Sequence, residues 1–287
     1  MNLSVRFALF FVALVWAGSF IFIKFGLKEL DPINLAFWRF FIATPLIFAI
    51  VAGKYRKRLF SFTLNEWFLL VFLGLTGVSL LYVVQFAALR LTTAINASIL
   101  INSSVLFIAV LSFSILGEKL STKRTAGIIL AFIGILVVVS NGDVKFFNSS
   151  TFIGDALMIL DGLIWAGYTI AGKKILELHP PDLVTAWAFV FGTITMLPFL
   201  VIGGFHVPAT TLTWISLLYL AILCSIFAYL IWYWALEKED ASRVAVYIYF
   251  IPLFTAILAY FILNEPVGIL KVIGGFLTIA GIYLAES

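Results

Sequence analysis

An aspartate inside a long apolar stretch is the first residue of this sequence that could do chemistry. Asp161 lies within the apolar stretch Ile153 to Ala171, and a position about eight residues into a helix is roughly 12 Å deep. Trp165 and Tyr168 follow it at i+4 and i+7, so all three share one face of a helix. On that face a carboxylate could meet a cationic group or a proton. The alternative is a structural carboxylate that a neighbouring helix satisfies by hydrogen bonding.

A buried arginine is the second ionisable candidate. Arg39 lies in the apolar stretch Ile33 to Ala52. It could pair with Asp161, bind a carboxylate of the substrate, or cap the end of a neighbouring helix. Because buried charges usually pair, we expect a structural or gating role. Glu118 and Glu265 lie at the ends of apolar stretches, where we expect interfacial anchors or helix caps.

Neutral polar and aromatic residues in the same stretches supply further candidates for substrate binding. Trp and Tyr offer flat apolar surfaces with a hydrogen-bond donor at the edge, and their faces attract cations. Spread over several helices, they predict a central cavity for an amphipathic or aromatic substrate. These candidates are Trp16, Tyr82, Gln85, Asn96, Ser98, Asn102, Tyr229, Trp232, Tyr233 and Tyr249.

The amino-acid composition indicates the class of protein that contains these residues. Of the 287 residues, 63% are hydrophobic and 11% are charged, whereas a soluble domain is about 45–50% apolar and about 25% charged. This excludes a water-soluble domain. The single cysteine, Cys224, excludes an internal disulfide framework, and 17% aromatic residues exclude disorder. The sequence therefore predicts an integral membrane protein.

The apolar stretches are long enough for about 20-residue membrane helices rather than for shorter barrel strands. They predict an all-α polytopic fold with ten transmembrane helices and short loops, so any site must lie within the bundle. The predicted helices are Phe7 to Phe25, Ile33 to Ala52, Trp67 to Ala88, Ala94 to Leu116, Ala126 to Ser140, Ile153 to Ala171, Leu183 to Ile202, Trp214 to Leu236, Val244 to Leu263 and Ile269 to Ala285.

Basic residues predict the orientation of these helices. With a cytoplasmic amino terminus, twelve of the 18 Lys and Arg residues fall in inner loops and five fall on the outer side, and Arg39 lies within a helix. Cytoplasmic loops carry the excess of Lys and Arg. We therefore predict a multi-pass protein of the cell membrane with both termini in the cytoplasm.

The chain contains an internal repeat. Trp16-Ala17-Gly18 recurs 149 residues later as Trp165-Ala166-Gly167, and Leu116-Gly117-Glu118 matches Leu263-Asn264-Glu265 at a separation of 147. We divide the chain into two five-helix units, residues 1–142 and 143–287. An odd number of helices per unit inverts the second unit in the membrane, which is the architecture of many secondary transporters. The alternative is a duplication that serves folding alone.

These motifs resemble those of the EamA family, which belongs to the drug/metabolite transporter superfamily. The resemblance covers nearly the whole chain and implies a ten-helix transporter, commonly an exporter of amino acids or other small metabolites. One departure is that Val105 stands where Pro252 stands in the second repeat, which predicts that any proline hinge is confined to the second half. The motifs that carry the resemblance are Trp16-Ala17-Gly18-Ser19 with Lys24, Trp38-Arg39-Phe40, Leu116-Gly117-Glu118-Lys119-Leu120, Ala241-Ser242-Arg243, Pro252-Leu253-Phe254 and Asn264-Glu265-Pro266.

We therefore predict a secondary transporter, and two other functions stay open. A passive channel or receptor is one, and a membrane-embedded enzyme acting on lipids is the other, although such an enzyme would need more acids or histidines inside the bundle. We expect no cofactor and no metal, because the histidines His179 and His206 lie in loops and no nucleotide-binding loop is present.

The expected partners are membrane lipid, a small-molecule substrate and a coupling proton, without nucleic acid. We expect a monomer or a homodimer. Small residues four apart permit close helix contact either within one chain or between chains. They are Gly127 with Ala131 and Gly274 with Thr278.

Overall fold

The computed structural model describes residues 3–56, 58–119, 121–140 and 150–286. Within these ranges every regular element is helical. The predicted boundary between the two five-helix units, at residues 142 and 143, lies outside the described residues. The helices are α1 (Leu3–Gly26), α2 (Pro32–Lys54), α3 (Leu64–Leu91), α4 (Ala94–Leu116), α5 (Thr122–Ser140), α6 (Phe152–Ile175), α7 (Pro181–Gly203), α8 (Thr211–Lys238), α9 (Ala241–Leu263) and α10 (Ile269–Glu286).

Eight helices in the described part of the chain are long and apolar enough to cross a membrane. They are α1 to α4 and α6 to α9, and α10 contains a shorter apolar stretch, Ile269–Gly281. Membrane crossing by α5 and α10, and hence the total of ten spans, stays a prediction. Large apolar side chains such as Phe7, Phe261 and Val201 are exposed on the outside of the bundle, as a lipid-facing surface requires.

The helices extend up to four residues beyond the predicted apolar segments, and polar side chains cap the first turns of α2 and α3. The Asp31 carboxylate accepts hydrogen bonds from the Ile33 and Asn34 amides at the start of α2. Thr63 and Glu66 form a reciprocal capping box at the start of α3. Hydropathy alone does not include such turns in a membrane helix.

Four helices are interrupted at corresponding places. Both α3 and α8 contain a π-helical turn, at Leu75–Ser79 and Tyr219–Phe227. In α9 a 3₁₀ segment, Val246–Phe250, precedes Pro252. The matching break in α4 lies at Ile101 and Asn102, although α4 has no proline there.

The prediction concerned a hinge formed by proline, and the only difference at this position is that α9 carries Pro252 where α4 carries Val105; the break itself is present in both helices. In α4 the Asn102, Ser104 and Val105 amides bond to carbonyls three residues earlier, which tightens the turn without a proline.

Helices α5 and α10 pack directly against each other through the small residues singled out in the sequence. A β-carbon added to Gly134 would lie 2.5 Å from Thr278 Oγ1 and 2.6 Å from the Gly274 carbonyl oxygen. Gly281 approaches the Ala131 backbone in the same way. These small residues therefore serve a contact within one chain.

Candidate functional site

Residues at matching positions of the two predicted five-helix units, called the two halves below, contact each other at the centre of the bundle. The Trp16 and Trp165 rings lie 5.4 Å apart at 89°, and the Phe40 and Phe189 rings lie 5.0 Å apart. The side-chain oxygens of Thr44 and Thr193, separated by 149 residues, are 2.9 Å apart. Helices α1 and α2 therefore meet their counterparts α6 and α7 along a shared central line.

A directional chain of hydrogen bonds runs through this centre. Arg39 Nη2 donates to Tyr82 Oη at 3.0 Å, and the Tyr82 and Tyr229 hydroxyls lie 2.8 Å apart. Tyr229 Oη donates to the Gly77 carbonyl at 2.7 Å, so Tyr82 must donate to Tyr229. Gly77 belongs to the π-helical turn of α3, a distortion that is frequent at functional sites.

Arg39 is fully enclosed by neutral groups. Its side chain is 1% exposed, Nε donates to Ser225 Oγ at 2.7 Å, and the guanidinium carbon lies 3.9 Å from the centre of the Tyr82 ring. Among the described residues no carboxylate pairs with it, so the pairing with Asp161 that the sequence left open does not form. A cation held by hydroxyls and a ring face is stabilised without a counter-ion at close range.

Asp161 is fully buried and half satisfied. Its Oδ2 accepts a hydrogen bond from Gln85 Nε2 at 2.9 Å. Its Oδ1 has no hydrogen-bond partner in the described part of the chain. Gln85 was expected in the lining, but its bond to Asp161 could not be read from the sequence, because the two helices α3 and α6 are far apart in the chain.

An aromatic cluster surrounds the face that carries Asp161, Trp165 and Tyr168. The rings of Trp16, Trp165 and Trp232 lie 5.4 Å from one another, and Tyr168 stacks on Tyr233 at 5.0 Å. Four polar groups of this cluster are buried without a partner among the described residues. A ligand could accept from these donors, which are the indole nitrogens of Trp165 and Trp232 and the hydroxyls of Tyr168 and Tyr233.

A small cavity opens beside this cluster. Its volume is about 50 Å³, room for one or two water molecules at about 30 Å³ each. Ser19 lines this cavity, whereas its counterpart Tyr168, 149 residues later, is fully buried against Gly77 and Tyr233. The two halves therefore differ at matched positions. The polar and aromatic lining residues are Trp16, Ser19, Phe20, Arg39, Tyr82, Gln85 and Trp165.

The remaining candidates lie away from this cavity. Ser98 donates to the Ile95 carbonyl of its own helix at 2.8 Å. Asn102 and Tyr249 line a separate apolar groove of about 410 Å³ between α4, α9 and α10. Asn96 lies in the first turn of α4. The structure therefore gathers the candidates on α1, α3, α6 and α8 and leaves those on α4 and α9 apart.

Paired contacts tie the two halves together at both ends of the bundle. We call the end where α1 stops and α2 begins the predicted outer end, and the opposite end the predicted inner end. At the predicted outer end Glu265 accepts from the Ala94 and Ile95 amides at 2.9 and 3.0 Å. At the predicted inner end Glu118 accepts from the Ala241 and Ser242 amides at 2.9 and 3.4 Å.

Each of these glutamates caps a helix of the other half. Lys24 and Lys173 repeat the symmetry, since each donates at 2.6 Å to a loop carbonyl, that of Thr92 or Glu239. The sequence indicated caps but not whose helix they cap. Gly117-Glu118 follows Ala94 at the same spacing as Asn264-Glu265 follows Ala241. This equal spacing was the signal in the sequence that could have paired the glutamates with the helices they cap.

Comparisons with known proteins extend over the whole chain. A model of the EamA-like transporter family matches residues 3–140 and 152–286. A protein of Archaeoglobus fulgidus named "Uncharacterized transporter" is 49% identical over 100% of this chain and 99% of its own. A Salmonella typhimurium protein named "Probable amino-acid metabolite efflux pump" is 29% identical over 95% of this chain and 91% of its own.

A solved structure shares the fold. Its title reads "Crystal structure of protein", and it superposes with a TM-score of 0.77 over 99% of this chain and 97% of its own. The two sequences are 19% identical, so the likeness extends to the fold alone.

Proposed function

Because this chain belongs to the EamA-like transporter family, we propose that it is a secondary transporter that exports a small metabolite across the cytoplasmic membrane by alternating access. Its membership of this family and its similarity to proteins named as transporters identify it as a multi-pass membrane transporter. Cargo, direction and mechanism are our proposal. The cargo is an amino acid or another amphipathic or aromatic compound, and both termini lie in the cytoplasm.

The contact between counterpart residues of the two halves carries the proposal. Trp16 meets Trp165, and Tyr82 meets Tyr229, beside the half-satisfied carboxylate of Asp161. Transporters built from inverted repeats hold their substrate at the midplane where the two repeats meet, and they alternate by rocking one repeat against the other. The central position of these pairs supports a substrate site between two such halves.

The difference between counterparts supports a conformation that favours one side. Ser19 on α1 faces the cavity, whereas Tyr168 on α6 is sealed by Gly77 and Tyr233. If the halves exchange conformations, Tyr168 gains an opening and Ser19 loses one. Glu265 caps α4 at one end of the bundle and Glu118 caps α9 at the other, and we call these two contacts the end latches. They would then open in turn.

The chemistry of the lining supports the proposed class of cargo. Three indole rings offer flat apolar surface, and they are surrounded by four donors and one carboxylate oxygen that have no partner among the described residues. An apolar or aromatic body with a polar end group suits that combination. The amino-acid metabolite named for the Salmonella relative has such end groups, and its printed name supports the same class.

Reconstituted vesicles test the function. We expect saturable uptake of one member of an amino-acid and aromatic-amine panel, with acceleration by the same compound on the opposite side. Trp16→Ala should reduce that uptake at least about tenfold, a loss of about 1.4 kcal/mol. Phe7→Ala on the same helix, at a side chain that is 67% exposed on the lipid face, should leave uptake unchanged.

Two other results would contradict the proposal. Flux that rises linearly with concentration and shows no acceleration would indicate a channel. Chemical conversion of a lipid without any flux would indicate an enzyme.

A further inference from the structure

A second group of unsatisfied polar atoms lies at the break in α4, outside the aromatic cavity. Asn102, Ser103 and Ser104 are consecutive and at most 2% exposed. None of their side-chain nitrogen and oxygen atoms has a hydrogen-bond partner in the described part of the chain. A polar group that is buried without a partner costs about 1–3 kcal/mol, so three in a row require an explanation.

Helix α6 packs against this break at the residue that follows Asp161. A β-carbon added to Gly162 would lie 2.5 Å from Ser103 Oγ and 2.9 Å from the Ser104 backbone nitrogen. Glycine is therefore required there for the two helices to approach. Ser103 and Ser104 therefore contact α6 at Gly162. Asp161, with its half-satisfied carboxylate, precedes Gly162, and Asn102 precedes Ser103. We call this α4–α6 contact and its adjoining residues Asp161 and Asn102 the polar junction.

The counterpart of this contact, between α1 and α9, lacks the polar groups. At the matching positions Val12 and Ala13 replace Asp161 and Gly162, and Tyr249, Phe250 and Ile251 replace Asn102, Ser103 and Ser104. That contact is apolar, and Phe10 packs on Phe250 and Phe254 at 5.3 and 5.5 Å. The fold therefore forms the α1–α9 contact from apolar residues, so packing alone does not explain the polar residues in the α4–α6 contact.

We propose that the polar junction binds a small monovalent cation, for which Na⁺ is the probe, and that this cation is the coupling ion of the proposed transport. The available donors are oxygens, from Asp161, Asn102, Ser103 and Ser104, and hard cations prefer oxygen ligands. One carboxylate balances one positive charge. The buried Arg39 is already held by Ser225 and Tyr82.

The helix break adds a second reason for a cation. Interrupted helices in transporters present free backbone carbonyls to coupling ions. In α4 the Asn102 amide bonds to the Ile99 carbonyl at 3.1 Å and so does not use the Ser98 carbonyl, four residues back, that a regular helix would use. An ion at the junction would join α4 of the first half to α6 of the second, and its binding would link their relative positions to the ion gradient.

Thermal unfolding of the purified full-length protein in detergent tests the site without any transport. At fixed pH and ionic strength, Na⁺ in place of choline should raise the melting temperature in a saturable manner, because a ligand that binds only the folded state stabilises it. K⁺ should act more weakly. Asp161→Asn should abolish the rise.

Serine variants make the test specific to the junction. Ser103→Ala and Ser104→Ala should each raise the Na⁺ concentration for half of the effect by about tenfold, within the range that changes at the ligands of a bound ion produce. Ser112→Ala is the matched control. Ser112 is also buried on α4, but its hydroxyl already donates to the Ala109 carbonyl at 3.1 Å, so the Na⁺ response should not change.

Three results would overturn the cation site. They are equal stabilisation by Na⁺ and choline, an undiminished Na⁺ response in Asp161→Asn, and stabilisation by acid alone, which would make Asp161 a proton site only. Failure here is distinguishable from failure of the proposed function. Saturable counterflow in Na⁺-free vesicles would support the proposed transport function and contradict only the proposed coupling to Na⁺.

Discussion

The hydroxyl groups of Tyr82 and Tyr229 lie 2.8 Å apart, although 147 residues separate the two in the chain. The same separation of 147 residues relates Leu116-Gly117-Glu118 to Leu263-Asn264-Glu265 in the predicted repeat. The two tyrosines are therefore at matching positions of the predicted halves, and their contact is part of the hydrogen-bond chain from Arg39 to Gly77.

Removal of either hydroxyl should destabilise the protein. Tyr82→Phe takes an acceptor from Arg39 Nη2, and Tyr229→Phe leaves the Gly77 carbonyl without its donor, so each should cost about 1–3 kcal/mol. Both variants remove the same Tyr–Tyr bond, and the double variant should therefore lose less than the sum. Thermal unfolding in detergent measures this, with the exposed Tyr260→Phe as control. A strictly additive double variant would mean that the two hydroxyls do not share a bond.

The substitution Asp161→Asn should reduce transport without reducing the amount of folded protein in the membrane. Asparagine keeps the size of the side chain and an oxygen that can accept from Gln85 Nε2, but it removes the negative charge. We expect near-normal amounts in the membrane and at least about a tenfold loss of transport rate, or about 1.4 kcal/mol. Quantified membrane protein and vesicle uptake are the two measurements. Unchanged uptake would reduce Asp161 to scaffold, and loss of the protein would indicate a structural role instead.

The orientation of the helices is open to a direct test. Cytoplasmic loops carry the excess of basic residues, and the predicted inner loops hold twelve of the 18 Lys and Arg residues. Reporter fusions after Ser287 and in the loop from Lys54 to Arg58 should report the cytoplasm. Fusions near Asn148 should report the outside. A carboxyl terminus on the outside would refute ten spans.

A loop contact at the predicted outer end should depend on pH. Hydrogen bonds from the Thr210 and Thr213 hydroxyls and the Ala209 amide lower the pKa of the Glu29 carboxyl to about 2. Because the folded pKa is below the ordinary value near 4.5, the stabilisation is complete above that value and is lost as the pH falls toward 2. The gap in melting temperature between wild type and Glu29→Gln should therefore be larger at neutral pH than at pH 3.

The exposed Glu177 provides the control for this test, and Glu177→Gln should leave the melting temperature unchanged at both pH values. A gap for Glu29→Gln that widens in acid would contradict the assigned hydrogen bonds.

The helices were predictable because hydropathy and helix length follow from the membrane alone. Each predicted segment lies within an observed helix, for example Trp67 to Ala88 within Leu64–Leu91. The π-helical turns in α3 and α8 were not predicted, because they depend on close packing such as that of Gly77 on Tyr168. The break in α4 was not predicted, because no proline or glycine marks it in the sequence.

The site was predictable to the level of a helix face. The spacing of Asp161, Trp165 and Tyr168 placed them together, and the structure brings the latter two within 5.3 Å. Partners on other helices were not predictable, because they depend on how helices pack. Gln85 for Asp161 and Tyr82 for Arg39 are examples. The internal repeat carried more of this information than the sequence analysis used, since counterpart residues near the central line must meet.

Accessibility at Ser19 and Tyr168 tests alternating access most directly. Ser19→Cys and Tyr168→Cys are made singly in a Cys224→Ser background and labelled with a membrane-impermeant thiol reagent from either face, with and without substrate. Glu118→Gln and Glu265→Gln, which weaken one end latch each, should shift labelling toward Tyr168→Cys and Ser19→Cys respectively. The account predicts that substrate raises labelling at one position as it lowers labelling at the other. Labelling that rises or falls together at both positions would contradict it.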